Sequence, residues 1–155
     1  MRYKVSLCAA VLALSGFSLG MAAAPEAWAD PVDNYVGVGV RGGLNDDVAA
    51  VLGAKVKIAD FGELSLSGRP AIFIGNETEF RVALTGEGEV SPDFSPFFGG
   101  GLAINTDGSD DIDPLVAAGL DFRMTEQVVI QAGGNFIFKD GDTDAELTAT
   151  VNYVF

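Results

Sequence analysis

Glu146-Leu147-Thr148-Ala149-Thr150-Val151-Asn152-Tyr153-Val154-Phe155 closes the chain. Leu147, Ala149, Val151, Tyr153 and Phe155 take alternate positions, and Glu146, Thr148, Thr150 and Asn152 fall between them. A β-strand sends successive side chains to opposite faces, so this stretch predicts a strand with one apolar and one polar face. An aromatic edge strand is a hazard for a soluble sheet, because its unpaired backbone recruits other chains. In a barrel that spans a membrane the same strand has both edges paired and its aromatics at the lipid–water boundary.

Working upstream, Gly, Pro, Asn and Asp clusters mark turns. They leave strands near 35–44, 49–58, 63–74, 78–90, 95–105, 114–124, 128–139 and 145–155. Eight strands suit an all-β, antiparallel, up-and-down transmembrane barrel with both termini at one end. Each segment is about 10 residues, roughly 33 Å extended, and when tilted spans the apolar band of about 25 Å in an outer membrane.

The two faces can be followed along every strand. One carries Val36, Val38 and Val40, then Leu52, Val56 and Ile58, then Leu64, Leu66, Ile72 and Ile74, then Phe80, Val82 and Leu84. It continues through Phe98, Leu102, Ile104, Val116, Leu120, Phe122, Val128, Ile130, Phe136 and Phe138 to the last strand. The other carries Arg41, Lys55, Lys57, Arg69, Arg81, Arg123 and Lys139, together with Glu79, Glu87, Glu89, Asp121 and Glu146. Random phase would put seven bases on one face roughly once in a hundred trials, and charge took no part in choosing the phase.

Alternation does not say which face is outside. A secreted, soluble, lipocalin-like barrel binding an apolar ligand would turn the greasy face inward. An eight-stranded interior, however, is filled by side chains or holds one small ligand, whereas this apolar face is bulky on every strand. The aromatics also gather towards strand ends, as membrane girdles do. The expected arrangement is therefore apolar outside and charged inside.

Within such a lumen, Arg41, Glu79, Arg81, Lys139 and Glu146 are expected to share a layer at the loop end. Lys55, Lys57, Glu87, Glu89, Asp121 and Arg123 are expected to form a second layer at the other. Arg41 and Glu146 sit on the two strands that meet at closure, so an ion pair there is expected to lock the seam. Gly37, Gly39, Gly99, Gly101, Gly119 and Gly133 share the inner face and are read as making space, for the Arg and Lys stems or for a small channel. A filled polar core is preferred over an open conduction path, because eight strands leave little room for water.

The beginning of the chain predicts export. Arg2 and Lys4 precede an apolar stretch from Val5 to Met21, and Ala27-Trp28-Ala29 has the small-x-small form of a cleavage site. Residues 1–29 are read as a cleaved signal peptide and 30–155 as the barrel domain. The single Cys8 leaves with the signal, which removes disulfide and thiol chemistry. Two of the nine basic residues and one of the 22 acidic ones lie in the signal, so the mature chain sets seven against 21. That excess argues against nucleic acid as a partner.

The loops at the end away from the termini are acidic. Asp107, Asp110, Asp111 and Asp113, and Asp140, Asp142 and Asp144, are candidates for weak Ca²⁺ or Mg²⁺ binding. Asp140-Gly141-Asp142-Thr143-Asp144 departs from the EF-hand pattern after its third Asp, and a solvated turn explains it as well. No cofactor is otherwise implied. The chain has no His, which removes imidazole-dependent hydrolysis and metal sites, and no phosphate loop or dinucleotide fingerprint occurs. An enzyme is not expected.

Across nearly the whole expected mature chain, this pattern resembles the small eight-stranded outer-membrane barrels, among them the membrane domain of outer-membrane protein A and the outer-membrane protein X group. The terminal Phe with alternate apolar residues upstream is typical of such barrels. The stretch Ser67-Gly68-Arg69-Pro70-Ala71-Ile72-Phe73-Ile74-Gly75-Asn76 also resembles small porin-like proteins of cyanobacteria. The resemblance implies a monomer in the outer membrane of a Gram-negative-type bacterium, in contact with outer-membrane lipid. It also implies insertion by the barrel-assembly machinery, with Tyr153 and Phe155 as the assembly signal. Two departures limit it: the loops are shorter than those used for adhesion in some members, and no appended peptidoglycan-binding domain is expected.

Overall fold

In a computed structural model, which describes residues 34–43, 47–106 and 111–155, eight antiparallel strands close into a barrel in sequence order. They are β1 (Tyr35–Gly43), β2 (Ala49–Phe61), β3 (Leu64–Ile74), β4 (Thr78–Gly88), β5 (Phe94–Asn105), β6 (Ile112–Arg123), β7 (Val128–Lys139) and β8 (Asp142–Val154). The expected signal peptide (1–29), Asn45 and Asp46 of the first loop, and Asp107 and Asp110 lie outside the described residues.

Each strand pairs with the next, and β1 closes on β8 from Tyr35 opposite Val154 to Gly43 opposite Glu146. The start of β1, the end of β8 and the β2–β3, β4–β5 and β6–β7 turns occupy one end, here the terminal end. The β1–β2, β3–β4, β5–β6 and β7–β8 connections occupy the other, the distal end. Gly62 and Gly141 take φ of 72° and 90° in their turns, a conformation open to glycine at no steric cost.

The faces sort by physics rather than by propensity alone. Val38, Leu52, Ile74, Leu84, Phe98, Leu120, Phe136 and Leu147 all stand exposed on the exterior, Leu147 by 72%. Every strand thus exposes large apolar side chains while its alternate residues are buried within the cylinder. An apolar-lined soluble barrel requires the reverse, so the lipocalin-like alternative is not favoured.

β4 ends at Gly88 rather than at residue 90, and β2, β6 and β8 depart from the expected boundaries for local reasons, while the remaining ends agree within one residue. β2 continues to Phe61 because a bulge at Ile58 interrupts its pairing with β3 between Lys57 and Ala59. The extra residue reverses the phase. Phe61 consequently emerges on the exterior opposite Leu64, and Asp60 turns in to accept from Ser65 at 2.8 Å and to pair with Lys57 at 2.7 Å. β6 and β8 start two and three residues earlier than expected, with Asp113, Asp142 and Asp144 inside the ladder. Their acidity reads as a turn in sequence, yet a strand that outruns the apolar band has no reason to stay apolar.

Candidate functional site: two ion-pair plates across the lumen

β1, β2, β3 and β6 each send one polar side chain, and β4 two, to a common level near the terminal end. Lys55, whose side chain is 0% exposed, lies 2.6 Å from Glu87 and 3.5 Å from Asp121. Arg69 donates to Glu87 at 2.6 Å, to Asp121 at 2.8 Å and, through Nε, to Thr85 at 3.0 Å. Tyr35 completes the group, accepting from Arg69 at 2.7 Å and donating to Asp121 at 3.0 Å. Lys55 and Arg69 thus face Glu87 and Asp121, and the plate is neutral. Burial of four charges is tolerable only with this degree of mutual pairing.

A second plate crosses the lumen towards the distal end. Arg81 forks onto Glu146 at 2.5 and 2.9 Å and pairs with Glu79 through Nε. Arg41 reaches the same Glu146 at 2.8 Å. Two cations again meet two carboxylates.

Each plate is backed by an inward aromatic. The Arg69 guanidinium lies 3.7 Å from the Phe97 ring centre and 5.9 Å from that of Tyr35. The Arg81 guanidinium lies 4.0 Å from the Phe73 ring centre, with Arg41 at 5.7 Å from the same ring. The ring face is electron-rich, so it shields the cation without competing for its donors.

Between the plates a space of about 80 Å³ remains, enough for a few waters. Its walls differ in chemistry. On β4 and β6 Ala83, Leu115 and Ala117 line it, part of a buried apolar cluster that Ala103 and Ile137 complete behind them. On β7–β8 Thr148, Thr150, Asn152 and Gln131 form a polar column, with Thr150 donating to Gln131 at 2.9 Å and Asn152 to the Val129 carbonyl at 3.1 Å.

Of the sequence candidates, Arg41, Glu79, Arg81 and Glu146 meet in the distal plate, and Lys55, Arg69, Glu87 and Asp121 in the terminal one. Lys139 joins neither and pairs with Asp144 at the distal mouth. Lys57 pairs with Asp60 at the terminal rim, and Glu89 stands exposed beyond β4. Arg123 is half-buried at the foot of β6, its backbone N–H donating to the Asp93 carbonyl at 2.8 Å. Tyr153 and Phe155 are exposed on the exterior. Asp111 and Asp140 are exposed and Asp113 half-buried. Among the described residues no three acidic groups converge as a metal site requires.

Tyr35, Phe73 and Phe97 were not among the sequence candidates, because an aromatic residue reads first as lipid-facing. Their phase was the available signal, since Tyr35 shares parity with Arg41, and Phe73 and Phe97 with Arg69 and Ser95. The inward glycines serve a purpose other than expected. A Cβ on Gly99 would lie 1.9 Å from the Leu84 carbonyl oxygen, and one on Gly101 2.0 Å from that of Val82. The space beside them is taken by neighbouring backbone and not by Arg or Lys stems. At Gly119 the Phe97 ring also occupies the position, 2.6 Å from the virtual Cβ.

No protein-family model matches the chain, and no curated protein matches it. Similar solved structures include a de novo designed transmembrane β-barrel, at TM-score 0.63 and 21% identity, covering 81% of this chain and 98% of that one. The outer membrane protein Ail of Yersinia pestis in a phospholipid nanodisc matches at TM-score 0.59 and 12% identity, over 79% and 99% of the two chains. The N-terminal β-barrel domain of Pseudomonas aeruginosa OprF matches at 0.55 and 13%, over 79% and 97%. At these identities the likeness is one of fold.

Proposed function

We propose that this chain is an integral barrel of a bacterial outer membrane, structural in role and at most weakly conducting. One observation carries the reading: large apolar side chains stand exposed on all eight strands while charged residues pair across the centre. Monomeric soluble proteins rarely leave contiguous apolar surface beyond a few hundred Å². Here it would encircle the molecule, which water does not tolerate and acyl chains do. Export through the signal at residues 1–29 and delivery to the barrel-assembly machinery through Tyr153 and Phe155 fit this reading, as does the Gram-negative-type envelope implied by the resemblance.

The two plates argue for a plug rather than an open porin. An ion crossing the lumen has to part Arg69 from Glu87 and Asp121 and then Arg81 from Glu146, and each step exposes an unpaired buried charge. The role proposed is not enzymatic.

The test is extraction and folding. The chain is expected to fractionate with outer membranes, to need detergent, and to shift on SDS gels between boiled and unboiled samples. A chain that stays monomeric and folded in plain buffer overturns the proposal. In planar bilayers, small and infrequent current steps are expected; steady conductance of porin size would replace the plug with a pore.

A further inference from the structure

β1 reads Tyr35-Val36-Gly37-Val38-Gly39-Val40-Arg41, and its centre repeats every two residues. A slip of one residue against β8 would turn its valines inward and is forbidden by the faces. A slip of two keeps every valine outside and every glycine inside, moving the strand by about 7 Å. The glycines themselves do not resist it, since a slip towards the distal end sets Gly37 against Thr150 and Gly39 against Thr148. The places opposite Asn152 and Thr150 admit only glycine, however: a Cβ there would lie 2.1 Å from Asn152 Oδ1 or 2.0 Å from the Ala149 carbonyl oxygen. A slip pushes Tyr35 into the first or Arg41 into the second, so the register of β1 depends on what flanks its repeat.

We infer that Tyr35 and Arg41, at the two ends of this repeat, are the register keys of the closing seam. They are the inward side chains of β1 other than glycine, and each enters a different plate. Tyr35 is held by Asp121 at 3.0 Å and Arg69 at 2.7 Å, residues of β6 and β3 across the lumen. Arg41 is held by Glu146 of β8 at 2.8 Å. A two-residue slip in either direction pulls the Tyr35 hydroxyl out of hydrogen-bond reach. A slip towards the terminal end also sets Arg41 opposite Thr150 and draws it away from Glu146. The plates keep ion pairs without the keys, because Asp121 keeps Arg69 and Lys55 while Glu146 keeps Arg81, although the distal plate then holds one unbalanced carboxylate and loses stability. Removal of the keys is thus expected to loosen register while the barrel still forms. The inference concerns closure in any amphiphile and does not depend on conductance.

The experiment reads register by cross-linking. The full chain carrying Cys8→Ser is refolded into phosphatidylcholine vesicles with one cysteine at Val38 and a second at Val151, Ala149 or Tyr153, then oxidised. Val38 faces Val151 in the closed seam, so the parent is expected to link at 38/151 alone. Adding Tyr35→Gly and Arg41→Gly, which leaves no Cβ to strike Asn152 or the Ala149 carbonyl in a slipped seam, is expected to raise the 38/149 or 38/153 product about tenfold, the factor carried by one charge-assisted hydrogen bond. A double variant that reaches the heat-modifiable band and links only at 38/151 overturns the inference, even if it unfolds at lower urea. If the double variant does not reach that band, Tyr35→Gly alone decides: 38/149 product above the parent supports the key, and the parental pattern overturns it.

Discussion

Phe97 holds the Arg69 guanidinium 3.7 Å from its ring centre while the tip of the same ring fills the place of a Gly119 side chain. One aromatic therefore connects the terminal plate to the curvature of the β5–β6 wall. A glycine without a Cβ lets the neighbouring backbone come close, and the ring covers the exposed backbone that results. Charge pairing and barrel closure share this contact.

Phe97→Ala removes both roles. Loss of a buried Phe costs about 3–5 kcal/mol where the site collapses little, and a rigid ladder surrounds this one. The expected result is a lower urea midpoint in lipid vesicles, followed by the gel shift between folded and unfolded bands. Current steps in planar bilayers should become larger or more frequent, since Arg69 loses its backing.

The three consecutive glycines of β5 give a contrast within one tripeptide. A Cβ on Gly99 or Gly101 meets a β4 carbonyl at 1.9 or 2.0 Å, whereas one on Gly100 meets nothing nearer than the Leu115 oxygen at 3.4 Å. Backbone oxygens cannot swing aside without opening the β4–β5 ladder. Gly99→Ala and Gly101→Ala are expected to lose the heat-modifiable band or much of their urea resistance. Gly100→Ala should stay within about 0.5 kcal/mol of the parent, as exterior substitutions usually do.

How far these contacts could be foreseen depended on the scale at which each is encoded. Period-two alternation is repeated in all eight strands, so the strands and their faces are legible, and Arg41 and Glu146 share the inward phase. A bulge is a single residue against that pattern: nothing in Lys57-Ile58-Ala59 distinguishes a phase reversal from a strand end. Inward aromatics were hidden for a chemical reason, since Phe73 and Phe97 are outnumbered by lipid-facing neighbours of the same kind. The tight approach at Gly99 and Gly101 depends on how β4 lies against β5, a relation between distant segments that no local window contains.

Lys55 offers a test of plate neutrality. Lys55→Met leaves Glu87 and Asp121 with Arg69 alone, an excess of one buried negative charge. Breaking a buried pair in this way costs about 3–5 kcal/mol. Adding Glu87→Gln restores the balance and is expected to recover most of that loss, giving a favourable coupling in the double-mutant cycle. Equal and additive losses from the two changes would mean that the plate does not act as a unit.

The exterior decides between lipid and water as the solvent of this barrel. Val151 is the central member of the outward apolar series Leu147, Ala149, Val151, Tyr153 and Phe155 that ends the chain, paired with Val38 of β1 and Ile130 of β7, and is 56% exposed. In a bilayer, Val151→Arg places a guanidinium near the midplane at a cost of about 2–4 kcal/mol, falling towards zero near the interfaces. The same change at Val48, 73% exposed at the distal rim before β2, should therefore be nearly silent. Urea midpoints in vesicles that fall for Val151→Arg and hold for Val48→Arg are the expected pair. In a water-soluble barrel the two sites would be equivalent and both substitutions harmless, because an exposed valine gains nothing from water that an arginine would lose.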